Sequence, residues 1–171
     1  MSKRDLKKYL NELNKNQLQL QIIELYEKFS DVKVYYDFVF NPKEDKLMGE
    51  AKLKIANEYF PIKGRKPKMR RSVSQKLIKH FISLGVDSFI IADIMLYTIE
   101  IAQTFTSEKV IKSELFYKSM LNSFEQAIGF MIEKGNLYEF KARIEKIKTQ
   151  AITQNWMNRY EFEAIIERFE Y

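Results

Sequence analysis

Apolar residues recur every three or four positions along most of the chain, the period of an α-helix packed on one face. Ser2 with Asp5 reads as an acidic capping box, and Leu6, Tyr9, Leu10 and Leu13 follow at helical spacing. Asn14 with Gln17 repeats the start signal ahead of Leu18, Ile22, Leu25 and Phe29. The segment 32–40, VKVYYDFVF, carries β-branched and aromatic residues that suit a strand. Its neighbours are all helical, and helix is the reading preferred. Asn41-Pro42-Lys43-Glu44 predicts a helix opened by an Asn cap, with Met48, Ala51, Ile55 and Tyr59 on one face and Pro61 ending it.

After a loop over 61–71 containing Gly64 and Pro67, helical spacing resumes at Ser72 and closes at Gly85. Asp87 is expected to cap a helix running to about Phe105. Its polar residues Asp93, Tyr97, Glu100 and Thr104 fall on one narrow stripe, and the rest is apolar enough to place this helix at the centre of the fold. Ser107 is read as the start of a long helix to Lys134, carrying Phe116, Met120, Phe124, Ala127 and Met131, which Gly135-Asn136 stops. Leu137, Phe140, Ile144, Ile147 and Ala151 mark the next helix, and Phe162, Ile165, Ile166 and Phe169 the last. The pattern predicts an all-α protein: a single domain over 1–171, built as an irregular bundle of about eight helices with short connectors and the 87–105 helix central.

Composition agrees with that picture and narrows the chemistry. In 171 residues there are 5 Gly and 3 Pro against 13 Phe and 10 Tyr, which favours long helices around an aromatic-rich core. There is no cysteine, which excludes disulfides, thiolate catalysis and Cys-ligated zinc. The basic opening MSKRDLKKYLNEL has no apolar stretch behind it, and Phe89–Ile101 is interrupted by Asp93 and Glu100. Neither a secretory signal nor a membrane span is expected, and a cytoplasmic location is.

Four blocks, DLKKYLNELNKNQLQLQIIELYEKF, VYYDFVFNPKED, IADIMLYTIEIAQTF and FYKSMLNSFEQA, resemble in the same order a family of small bacterial proteins known only as a domain of unknown function. The resemblance covers nearly the whole chain. It implies an all-helical bacterial protein and assigns no functional residues.

Charge is unevenly placed. Residues 1–85 carry 19 Lys/Arg against 10 Asp/Glu, and residues 86–171 carry 10 against 13. No acid stands between Glu58 and Asp87, a stretch that holds Lys63, Arg65, Lys66, Lys68, Arg70, Arg71, Lys76 and Lys79. Such a run could neutralise phosphates of a nucleic acid or another polyanion, although no DNA- or RNA-reading motif accompanies it. The plainer alternative is a solvated loop whose arginines pair with acids elsewhere.

Asp93 and Glu100 stand about 10 Å apart along one helix. With Glu58 or a carboxylate from another helix they are candidate ligands of a divalent metal, but the bundle motif Glu-x-x-His is missing, because Leu77 precedes His80, the one histidine, by three residues. The structural alternative is a partly buried polar seam fed by Arg70, Arg71, a tyrosine or helix N–H groups. His80 with Ser83 lacks the strained elbow of an acyl-transfer site, and the scattered glycines form no phosphate-cradling loop. Tyr35, Tyr36, Phe38 and Phe40 are read mainly as core, with a partner-binding groove as the alternative. No catalytic residue, metal or cofactor is assigned. The expected function is a non-catalytic helical module that docks a protein partner or pairs with itself. Polyanion binding through 63–79 is the second reading, and a metal-dependent enzyme the third.

Overall fold

Helices account for every regular element in the computed structural model, which describes residues 2–62 and 64–169. Among these residues there are nine helices and no strand, as the all-α expectation requires. The ninth is the ambiguous segment. Ser30–Phe40 is helical, so helical context prevails over the strand propensity of its β-branched and aromatic residues. The chain divides into two compact units, Met1–Lys43 and Glu44–Tyr171.

The first unit holds α1 (Lys3–Asn11), α2 (Lys15–Lys28) and α3 (Ser30–Phe40). Both expected capping boxes are present: Ser2 with Asp5, and Asn14 with Gln17. The Tyr9 hydroxyl accepts from Gln21, and the Tyr26 hydroxyl donates to Asp37 at 2.9 Å. None of the three helices contains a buried residue. The stripe Ile22–Leu25–Phe29, expected to enter a core, stays between 44 and 49% exposed. Of the aromatic segment, Tyr35 is exposed, Tyr36 stacks on Phe40, and Phe40 is 81% exposed. Three short helices enclose too little volume to bury an apolar stripe by themselves.

The second unit carries the core. Its helices are α4 (Glu44–Tyr59), α5 (Arg71–Leu84), α6 (Ser88–Glu108), α7 (Glu114–Lys134), α8 (Leu137–Thr153) and α9 (Arg159–Phe169). As expected, α6 is central: it packs against α4, α5, α7 and α8, and Ala92, Ile94, Leu96, Ile99 and Ala102 on it are sealed from solvent. It is longer than its pattern suggested. At 21 residues it is long and apolar enough to cross a bilayer by length and composition, yet ten of those residues are buried inside the protein. The stripe Phe116–Met120–Phe124–Ala127–Met131 of α7 faces the core throughout.

Two helix starts differ from the sequence reading. Asn41 ends α3, donating its N–H to the carbonyls of Asp37 and Phe38, and α4 begins only at Glu44. The Glu44 carboxylate instead accepts from the Asp87 N–H at 2.9 Å, while Asp87 caps α6 through Phe89 N at 2.7 Å. Ser107 lies in the last turn of α6, its hydroxyl donating to the Thr104 carbonyl, and α7 starts after Ser113. Ser107 is helical within α6, so it lacks the extended backbone with which an N-cap residue opens a new helix. Gly85 and Gly135 close α5 and α7 at φ 75° and 71°, where a side chain would be strained.

The core is finished by residues that no stripe announced. Trp156, just after α8, is 1% exposed and meets Tyr117, Phe116 and Phe162 edge-on. Its indole N–H donates to Thr106 and Gln154. Gln154 in turn donates to the Gln103 carbonyl, and the buried Gln103 amide donates to the Ile147 carbonyl at 2.7 Å. Burial of these polar groups is compensated within one chain of hydrogen bonds.

Candidate functional site

The basic loop is anchored by one acid. Glu58, in the last turn of α4, is 9% exposed. Its backbone carbonyl accepts from both Lys68 N and Met69 N at 2.9 Å. Its carboxylate takes a two-pronged pair from Arg70, with Nε 2.9 Å and Nη2 2.8 Å away, and a further bond from Arg70 N at 3.2 Å. The hydrogen bonds from Arg70 hold the Glu58 carboxyl below its ordinary pKa against the opposing effect of burial. Met69 is forced to φ 50°, a left-handed conformation uncommon for a residue with a side chain.

The run proposed for polyanions is thereby divided. Arg65, Lys66 and Lys68 are exposed, form no ion pair among the described residues, and line a cleft of about 430 Å³ together with Ile62 and the Glu58–Arg70 pair. Arg71 turns the other way, donating to Ser123 Oγ at 2.7 Å and Gln126 Oε1 at 2.8 Å on α7. Desolvation lowers its pKa from the ordinary arginine value. Lys76 and Lys79 are exposed on α5 and do not line the cleft. Lys63 lies outside the described residues.

The polar stripe of α6 forms a seam, but with partners other than those expected. Arg143 of α8 bridges it: Nη1 is 2.5 Å from Asp93 Oδ1, and Nε and Nη2 are 2.9 and 2.8 Å from the two oxygens of Glu100. Lys52 of α4 is 2.6 Å from Asp93 Oδ2 and lies over the Tyr97 ring at 5.3 Å. Burial, reinforced by the nearby Glu100 and Asp93 charges, raises the Tyr97 pKa. Burial also opposes the Arg143 charge, but the bonds from Glu100 and Asp93 outweigh it and raise the Arg143 pKa. Thr104 takes no part, its hydroxyl bonding back to the Glu100 carbonyl at 3.0 Å. Neither Arg70 nor Arg71 reaches this seam, because Glu58 and α7 already hold them.

Arg143 and Lys52 were missed, although the sequence carried a signal for both. Arg143 stands about 40° outside the arc of Phe140, Ile144 and Ile147, and Lys52 about 20° outside that of Met48, Ala51, Ile55 and Tyr59, so each borders an apolar stripe. A cation at such a margin is partly withdrawn from water and gains from an acid opposite it.

The serine and histidine side chains of the acyl-transfer reading are not joined. The Ser83 hydroxyl bonds the His80 carbonyl, not its imidazole, and Ser74 bonds the Arg71 carbonyl. Among the described residues no group of three His, Asp or Glu is placed to hold a metal ion. A separate groove of about 520 Å³, where α7, α8 and α9 meet, is lined mainly by apolar residues including Ile128, Ile144 and Ile166.

Fold and site together define an all-α helical protein with a basic cleft and a charged seam beside its central helix. The chain belongs to the family of unknown function DUF6155, whose model matches residues 1–170. No match was found among curated proteins or among solved structures.

Proposed function

We propose that the protein is a non-catalytic interaction module whose N-terminal helices dock onto an apolar protein surface, on a partner or on a second copy of the chain. The observation that carries this reading is the lack of any buried residue among the described residues of the first unit. Eleven large apolar side chains there are exposed, among them Leu20 at 67%, Ile23 at 53% and Phe40 at 81%. Apolar area left in water at that density marks association surfaces. Leu20 and Ile23 sit one turn apart on α2, the spacing with which a helix engages a groove.

The test compares the full chain with its Leu20→Asp/Ile23→Asp variant. Both are followed by light-scattering mass across a concentration series and by capture from nuclease-treated extract. Self-association, or a captured protein, that is present for the parent and lost from a variant of unchanged helical content supports docking. A parent that stays monomeric and captures nothing the variant does not also capture overturns it.

A further inference from the structure

The cleft beside Glu58 gathers cations without supplying the anions they need. Arg65, Lys66 and Lys68 lie within four positions of one another, and none forms an ion pair among the described residues. Among the described residues Glu58 is the one acid lining the cleft, and both of its carboxylate oxygens are taken up by Arg70. Like charges gathered on one wall repel one another, and a multiply charged anion relieves that repulsion. Lys68 N and Met69 N are tied to the Glu58 carbonyl at 2.9 Å, which fixes the end of the loop where Lys68 stands. An anion at that end has less chain to immobilise.

We propose that this cleft binds a compact polyphosphate, meaning a small molecule with two or more adjacent phosphoryl groups. Its volume, about 430 Å³, is that of a small-molecule site. A nucleic-acid strand is disfavoured because no aromatic ring among the described residues lines the cleft to stack a base. Exposed Ile62, at 70%, gives an apolar edge against which a non-phosphate portion of the ligand would rest. The inference concerns the described residues that line the cleft and is independent of docking through the N-terminal helices.

The experiment is calorimetric titration of the full chain with inorganic pyrophosphate, orthophosphate and a random-sequence oligonucleotide at low salt. The parent is expected to bind pyrophosphate saturably, at one site, and more tightly than orthophosphate. Arg65→Gln/Lys68→Gln is expected to weaken that binding about tenfold or more, since each charge-assisted contact is of that order. Lys66→Gln supplies a second variant should the first lose helical content. Absence of saturable binding, equal affinity for orthophosphate, or an affinity unchanged in the variants overturns the proposal. So does displacement of pyrophosphate by oligonucleotides with a strength that grows with their length, which would assign the cations to a polymer.

Discussion

Arg70 grips Glu58 with two parallel contacts, Nε to Oε2 at 2.9 Å and Nη2 to Oε1 at 2.8 Å. That grip fixes where the basic loop leaves α4 and enters α5. The pair joins a nearly buried carboxylate to a guanidinium that remains about half exposed, with side-chain exposures of 11% and 53%. Its worth therefore lies between that of a surface pair and that of a buried one.

Glu58→Gln is expected to cost about 2 kcal/mol at neutral pH, as measured by urea denaturation. The contribution depends on pH with a defined sign. The folded-state pKa of Glu58 is depressed below its ordinary 4.5, so the folded protein binds fewer protons than the unfolded chain as that group titrates. The stabilisation is complete above the ordinary value and is lost as pH falls through the depressed one. Parent and variant stabilities should converge toward acid; a gap constant from pH 7 to pH 3 would refute the assignment.

Arg143→Met removes the cation shared by Asp93 and Glu100. The three side chains are 22–31% exposed, so the expected loss is about 2 kcal/mol, short of the roughly 3–5 kcal/mol for a fully buried pair. Because Lys52 still holds Asp93, pairing this change with Glu100→Gln in a double-mutant cycle should show coupling. Additive losses would mean that the Arg143–Glu100 contacts contribute nothing.

Phe162 is fully buried between Phe124, at a centroid distance of 4.9 Å, and Trp156 at 5.8 Å. Phe162→Ala should lower the unfolding free energy by about 3–5 kcal/mol. Intrinsic fluorescence of Trp156, the one tryptophan, reports the change directly. A loss under about 1 kcal/mol would show that α9 does not close this part of the core.

The two units should respond differently to truncation. Leu20→Ala, at an exposed position, is expected to shift stability by no more than about 0.5 kcal/mol. Ile99→Ala, on α6 with no exposed surface, should cost about 2–5 kcal/mol. Equal effects of the two in thermal melts would contradict the burial described above.

Much of this architecture was legible in the chain. Leu77, Phe81 and Gly85, or Phe116 through Met131, announce both a helix and the face it hides. The starts at Asn41 and Ser107 misled because Asn41 closes α3 with its backbone N–H and α6 runs on past Ser107. The polar stripe of α6 could be read as a seam, but not the identity of its counter-ions, since Arg70 and Arg143 are equally cationic on paper.

The sequence by itself determined the all-α class, nearly every helix, the capping boxes at Ser2 and Asn14, the glycine stops and the central place of the 87–105 segment. These follow from local spacing and local hydrogen-bond chemistry, which act within one turn of helix. Only the tertiary structure decided that Glu58 takes Arg70, that Arg143 and Lys52 serve Asp93, and that the apolar stripes of residues 2–43 stay in contact with water. Those outcomes depend on which side chains meet across many tens of residues and on whether a unit encloses enough volume to exclude solvent. Periodicity along the chain encodes neither.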